Sequence, residues 1–163
     1  MQRLELPAFD EPSWQQVDDL FGRNPGIYRV KVKNASGDGY EPIRRLLGID
    51  SSGLLYIGMS DAIISRFGGL RAGIYGAYRY RTYTNPAAHG IGVKMAQGFS
   101  RAFSKERIFI EIEGYSKSTE VPKNFDAWRY EADAIGDYIK QFGEPPPFND
   151  TWGTQLPSPI ADE

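Results

Sequence analysis

The chain has no cysteine among its 163 residues and one histidine. Disulfides, thiolate zinc sites, iron–sulfur clusters and cysteine nucleophiles are thereby excluded. It also lacks any run near the roughly 18 apolar residues that a membrane-spanning helix needs. Met1 to Asp10 lacks the basic-then-apolar pattern of a signal peptide. The expectation is a cytoplasmic protein with no membrane partner. Hydrophobic residues make up 40% and charged residues 25% of the chain, ordinary globular proportions, and the length suits one domain with a real core.

The net charge of −2 hides an uneven distribution. Residues 66–107 carry Arg66, Arg71, Arg79, Arg81, Lys94, Arg101, Lys105 and Arg107 against one acid, Glu106. Residues 108–163 carry four bases and eleven acids. Clustered cations are what phosphate contacts require. A solvated surface balanced by an acidic end has the same composition, and charge alone does not choose between the two. Tyr75, Tyr78, Tyr80 and Tyr83 lie among Arg79 and Arg81, which adds stackable rings to the basic block. A tyrosine-rich patch on the core is the structural alternative. Arg71, Arg79, Arg81, Lys94 and Arg101 are the candidate nucleic-acid contacts.

Hydrophobic spacing predicts a short helix over 13–21, with Ser13 as N-cap, Trp14, Val17, Leu20 and Phe21 on one face, and Gly22 as terminator. Ile27, Tyr28, Val30 and Val32 alternate with polar residues and predict a half-exposed strand through Lys33. Residues 43–49 and 54–58 read as a hairpin around Asp50-Ser51-Ser52-Gly53. A short helix is expected from Asp61 to about Phe67, an irregular exposed segment over 68–92, and a helix over 93–103. Arg107 to Glu113 alternates as a strand ended by Gly114. The last element is a helix from about Asn124 to Phe142, with Trp128, Ala132, Ile135 and Ile139 as its buried stripe, closed by Gly143. Its remaining acids, Asp126, Asp133 and Asp137, read as solvated face. Pro145-Pro146-Pro147 then forces an extended segment carrying Phe148 and Asn149. The fold class expected is α/β of the α+β type, a small antiparallel β-sheet flanked by helices.

Within this frame stand two glycine-linked tyrosine tripeptides, Gly26-Ile27-Tyr28 and Tyr56-Ile57-Gly58, with Arg66 ten residues after Tyr56. Glu131 lies in the last helix and Asn149 follows the proline cluster. Two phenols, one guanidinium, one carboxylate and one amide suit phosphodiester hydrolysis, which needs an activated water and neutralisation of developing negative charge. A carboxylate at the edge of a buried stripe is costly unless paired or metal-bound, which favours Glu131 as a ligand. Tyrosines on strands are otherwise common packing residues.

These pieces, in this order, resemble the GIY-YIG nuclease family over roughly residues 25–150. The resemblance implies a GIY-YIG-like nuclease domain at 26–150, preceded by an N-terminal helical extension at 1–25 and followed by a loose C-terminal tail at 151–163. It implies a divalent-metal-dependent endonuclease acting on double-stranded DNA as a stand-alone restriction or defence nuclease, with a dimer open. Tyr28 would be the general base, Tyr56 would orient water or contact phosphate, and Arg66 would clamp a phosphate oxygen. Glu131 would hold Mg²⁺ or Mn²⁺, and Asn149 would position Glu131 or a backbone segment. Two features depart from the family. Here 27 residues separate Tyr28 from Tyr56, which makes 34–53 an insertion. The place one helical turn after the arginine, often histidine or tyrosine in the family, is Leu70, and the sole histidine, His89, is a further candidate site residue in the basic block. A non-catalytic nucleic-acid-binding module and an RNA-directed nuclease are the alternatives.

Overall fold

In chain order the described elements are β1 (Gln2–Pro7), α1 (Pro12–Leu20), β2 (Gly26–Val32), β3 (Ile43–Arg45), β4 (Gly48–Asp50), β5 (Leu54–Ser60), α2 (Ile63–Tyr80), α3 (Ile91–Lys94), β6 (Ile108–Gly114) and α4 (Ala127–Phe142). The computed structural model describes residues 1–10, 12–80, 91–94 and 102–149. The fold is α+β: four strands pair in the order β1-β6-β2-β5, all antiparallel, and β3 and β4 form a separate hairpin. Among the described residues no helix is long and apolar enough to cross a membrane.

The period-2 pattern of each strand sorts its side chains onto two faces. On one face Tyr28, Val30, Val32, Ile108, Ile110 and Ile112 are buried with Val17 and Phe21 beside α1 and with Ile63, Phe67, Leu70 and Ile74 of α2. The opposite face is divided. Over β2 and β5, α4 buries Ala127 against Ile27 and Met59, and Ile135, Tyr138, Ile139 and Phe142 against Leu54 and Ile57. Over β1 and β6 the same face is charged. Arg29 Nη1 donates to Glu111 at 2.9 Å and to Glu113 at 3.0 Å, and Lys31 Nζ donates to Glu111 at 2.6 Å. Opposite charges on adjacent strands stabilise that half of the sheet.

Several expectations need correction. The first 25 residues contain β1 as well as a helix, and β1 pairs with β6 along its whole length. β2 is buried on both faces because it is a central strand, so its polar alternates, Arg29 and Lys31, lie under the acids of β6. The 43–58 hairpin does not form. β3 turns back at Leu46-Leu47 to pair with β4, while β5 joins the main sheet beside β2. Ser13 lies inside α1 and donates its hydroxyl to the Pro7 carbonyl at 3.1 Å.

The helix after Ser60 does not stop at Phe67; α2 runs 18 residues through four glycines. Tertiary packing outweighs the glycine penalty there. Ile63, Ile64, Phe67, Leu70, Ile74 and Ala77 form a continuous buried stripe, and Gly68 admits the Trp14 ring where a Cβ would lie 2.7 Å from it. On α4, Trp128 is 52% exposed and the buried stripe is Ala127, Glu131, Ile135, Tyr138, Ile139 and Phe142. Asp126 is the N-cap of α4, accepting from the Trp128 and Arg129 amides at 3.0 and 3.3 Å. Most of the helix expected over 93–103, and the 151–163 tail, lie outside the described residues.

Candidate active site

β5 is an edge strand, and an edge strand presents a row of unpaired backbone groups that must find partners. Its bonds to β2 use one side of the backbone; on the other side the partners are Phe148, Asn149 and Glu131. The Phe148 amide donates to the Leu55 carbonyl at 2.9 Å. Asn149 Oδ1 accepts from the Ile57 amide at 3.0 Å, while its Nδ2 donates to the Ile57 carbonyl at 2.9 Å. Two residues further on, the Met59 amide hydrogen-bonds the Glu131 carboxylate. Asn149 therefore acts as a one-residue strand partner for the middle of Tyr56-Ile57-Gly58, and binds a backbone segment rather than Glu131.

The other tripeptide faces the same place. Tyr28 and Gly58 are register partners on β2 and β5. The Tyr28 ring lies across Gly58 so closely that a Cβ there would overlap the phenol. That placement brings Tyr28 beside Tyr56, with ring centroids 6.0 Å apart and a hydrogen bond between the side chains. Gly26 has a different task. It stands opposite Gly114 on β6, and the Ile63 methyl at the start of α2 lies against both α-carbons. A Cβ at Gly26 would come within 2.8 Å of Ile63 Cδ1 and of the Gly114 α-carbon. The two glycines thus seat the first turn of α2, which carries Arg66.

Burial ties these groups together electrostatically. It drives the Tyr28 phenol far above its ordinary pKa, and the Tyr56 phenol adds to the shift. The Arg66 guanidinium pulls against it, and Glu131 raises it further. Glu131 is itself buried, and burial raises its carboxyl pKa against the lowering effects of the Met59 amide and Arg66. Tyr28, Tyr56, Arg66 and Glu131 therefore act on one another across a single site, and Asn149 fixes the strand between them. Arg66 is exposed, so a phosphate can reach it from solvent.

Among the described residues there is no group of three or more His, Asp or Glu side chains suited to a metal. The donor chemistry at Glu131 fits a hard divalent ion that keeps most of its waters and takes one protein carboxylate, as Mg²⁺ characteristically does. Burial raises the Glu131 carboxyl pKa even with the Met59 amide and Arg66 opposing it, and a bound cation would favour the carboxylate further.

Two of the proposed phosphate contacts have internal partners. Arg71 donates through Nε to the Ala8 carbonyl at 2.9 Å and through Nη2 to the Asp10 carbonyl at 3.1 Å, which ties α2 to the chain after β1. The Lys94 ammonium donates to the Phe148 carbonyl and braces the segment that carries Asn149. Arg79 lies in α2; its side chain, with Arg81, His89 and Arg101, lies outside the described residues. Sequence reasoning missed the Met59 amide, Phe148 and the bracing role of Lys94. The alternate positions 55, 57 and 59 of a strand whose outer edge needs partners are the signal that leads to the first two. Compared with models of protein families, with curated proteins and with solved structures, the chain has no significant match.

Proposed function

We propose that the protein is a divalent-metal-dependent endonuclease of the GIY-YIG type, hydrolysing phosphodiester bonds in double-stranded DNA. The observation that carries this reading is the convergence of Glu131 and Asn149 on the outer edge of β5, beside Tyr28, Tyr56 and Arg66. Arg66 would take a nonbridging phosphate oxygen with its planar fork. Tyr56 would hold the attacking water, and Tyr28 would receive the water's proton as a phenolate, its own phenol proton having first passed to bulk water. Burial keeps the Tyr28 phenol protonated at rest, so positive charge near it is what suits it to that task. A Mg²⁺ or Mn²⁺ ion held by Glu131 would supply such charge, polarise the phosphate and acidify water. Attack in line with a departing 3′ oxygen leaves a 5′-phosphate.

The test is incubation of purified protein with plasmid DNA, single-stranded DNA and RNA, with Mg²⁺ or with EDTA, beside Glu131→Ala. Metal-dependent nicking of duplex DNA that the substitution abolishes is the expected result. Preferential cleavage of RNA would redirect the reading to an RNA nuclease. Binding without cleavage under any metal would leave a nucleic-acid-binding module.

A further inference from the structure

The 34–53 insertion builds the β3–β4 hairpin, and its tip runs against folding logic. Arg45 pairs with Gly48, so Leu46 and Leu47 are the two loop residues. Two-residue hairpin loops favour Asn-Gly or glycine-containing pairs, because their backbone twist needs them. Here both are leucines, 73% and 66% exposed, and Ile49 beside them is 61% exposed. Both leucines lie over Gly143 at the end of α4, and most of each side chain is left in water.

The tip is nevertheless held firmly. The Leu47 amide donates to the Phe142 carbonyl at 3.0 Å, a helix-end acceptor that would otherwise lack a partner. The Leu46 amide donates to Glu144 Oε1 at 2.8 Å. The Arg45 guanidinium reaches the Pro145 carbonyl and pairs with Glu144. Glu144 and Pro145 begin the segment that ends at Asn149 on the β5 edge, so the hairpin and the candidate site share one mount.

We infer that this hairpin is a wedge for duplex DNA, with Leu46 and Leu47 entering a groove and parting a base step near the phosphate held at the β5 edge. The inference rests on the nuclease reading of that edge. Apolar wedges of leucine or isoleucine are a recurrent means of kinking DNA. From Pro42 to Ile49 the hairpin carries no acid; Glu144 beside the tip is paired with Arg45, and Arg44 is exposed there, a charge that suits phosphate. A second copy fits less well. Three side chains offer roughly 300 Å² of apolar area, well short of the ~800 Å² per partner of a stable dimer. Phe142 lies eleven residues beyond Glu131 on α4. At 1.5 Å per residue that is about 16 Å, the span of about five base pairs.

The experiment uses Glu131→Gln protein, chosen so that bound DNA is not cut, and duplexes carrying the fluorescent base 2-aminopurine at successive positions. Binding is followed by anisotropy and unstacking by 2-aminopurine emission, with and without Leu46→Ser and Leu47→Ser together. Ile49→Ser serves as a second variant, and circular dichroism and sedimentation are recorded for all. The expected result is enhanced emission at one step, lost with the leucines, and affinity weaker by on the order of tenfold in folded, monomeric protein. Unchanged emission and affinity, in a protein whose wild type still cuts DNA, overturns the wedge and leaves the nuclease reading standing. Dissociation of a wild-type dimer by the serine variants overturns it in favour of a copy-to-copy contact. Absence of any DNA binding by wild type overturns both readings together.

Discussion

The phenol of Tyr28 lies across the α-carbon of Gly58, its direct register partner on the neighbouring strand. The last residue of one tripeptide thus explains the last residue of the other. Gly58→Ala should lower stability by about 1–3 kcal/mol, the usual cost of overpacking, and displace the Tyr28 hydroxyl from Tyr56. Truncating the ring relieves the overlap, so Gly58→Ala combined with Tyr28→Ala should cost less than the two single changes added together. Denaturant unfolding of the four proteins measures this. Strict additivity would contradict the overlap.

Asn149 contributes through the backbone of Ile57. Asn149→Ala removes a donor and an acceptor from that edge and should cost about 1–3 kcal/mol. The Ile57 amide should exchange with solvent faster, and cleavage should fall although no group that touches the phosphate has changed. Hydrogen exchange read residue by residue separates this local opening from global loss of stability. An Ile57 amide as protected as in wild type would sink the clamp.

The strands and helices that depend on local pattern were legible in the sequence. Alternation gave β2 and β6, and the spacing of Ile135 and Ile139 ahead of Gly143 gave α4, with a start at about Asn124 where the helix begins at Ala127. Gly143 does adopt a left-handed conformation, φ 78°, at the end of that helix. The site residues were legible as residue types in order, yet their shared geometry was not. The edge of β5 becomes a site only because β5 lies outermost, and strand order follows from long-range pairing. β1 escaped notice although Leu4 and Leu6 alternate with Arg3 and Glu5, since six residues at a terminus carry little periodic signal. The length of α2 was obscured by glycines whose merit, room for Trp14 at Gly68, exists only in the folded state. The β3–β4 hairpin was misplaced because Leu46-Leu47 is not turn chemistry.

The Glu131 carboxyl gives a pH dependence whose sign follows from its burial. Its folded pKa is raised, so between the ordinary carboxylate range and that raised value the native state binds more protons than the unfolded chain. Stability therefore declines as pH rises through this window, and the cost is absent below it. Metal-free Glu131→Gln should match wild type in acid and melt a few degrees higher near neutrality. Mg²⁺ should raise the melting temperature of wild type and leave that of Glu131→Gln unchanged. Thermal melts across pH, with and without Mg²⁺, check both statements. A wild type more stable than Glu131→Gln in metal-free neutral buffer would contradict them.

Lys94 tests the bracing of the Asn149 segment. Lys94→Met keeps the aliphatic stem and removes the donor to the Phe148 carbonyl. Cleavage should drop because Asn149 loses its support, and Ile57 amide exchange should quicken as it does in Asn149→Ala. If DNA affinity falls while exchange at Ile57 is unaffected, Lys94 contacts phosphate instead.

The most direct measurement is the rate of plasmid nicking in Mg²⁺ by wild type, Tyr28→Phe and Glu131→Gln, each shown by thermal melting to be folded. The account predicts metal-dependent nicking by wild type, a loss of about 10²–10⁴-fold on removing the Tyr28 hydroxyl, and no activity in Glu131→Gln. Wild-type rates in either folded variant would contradict it.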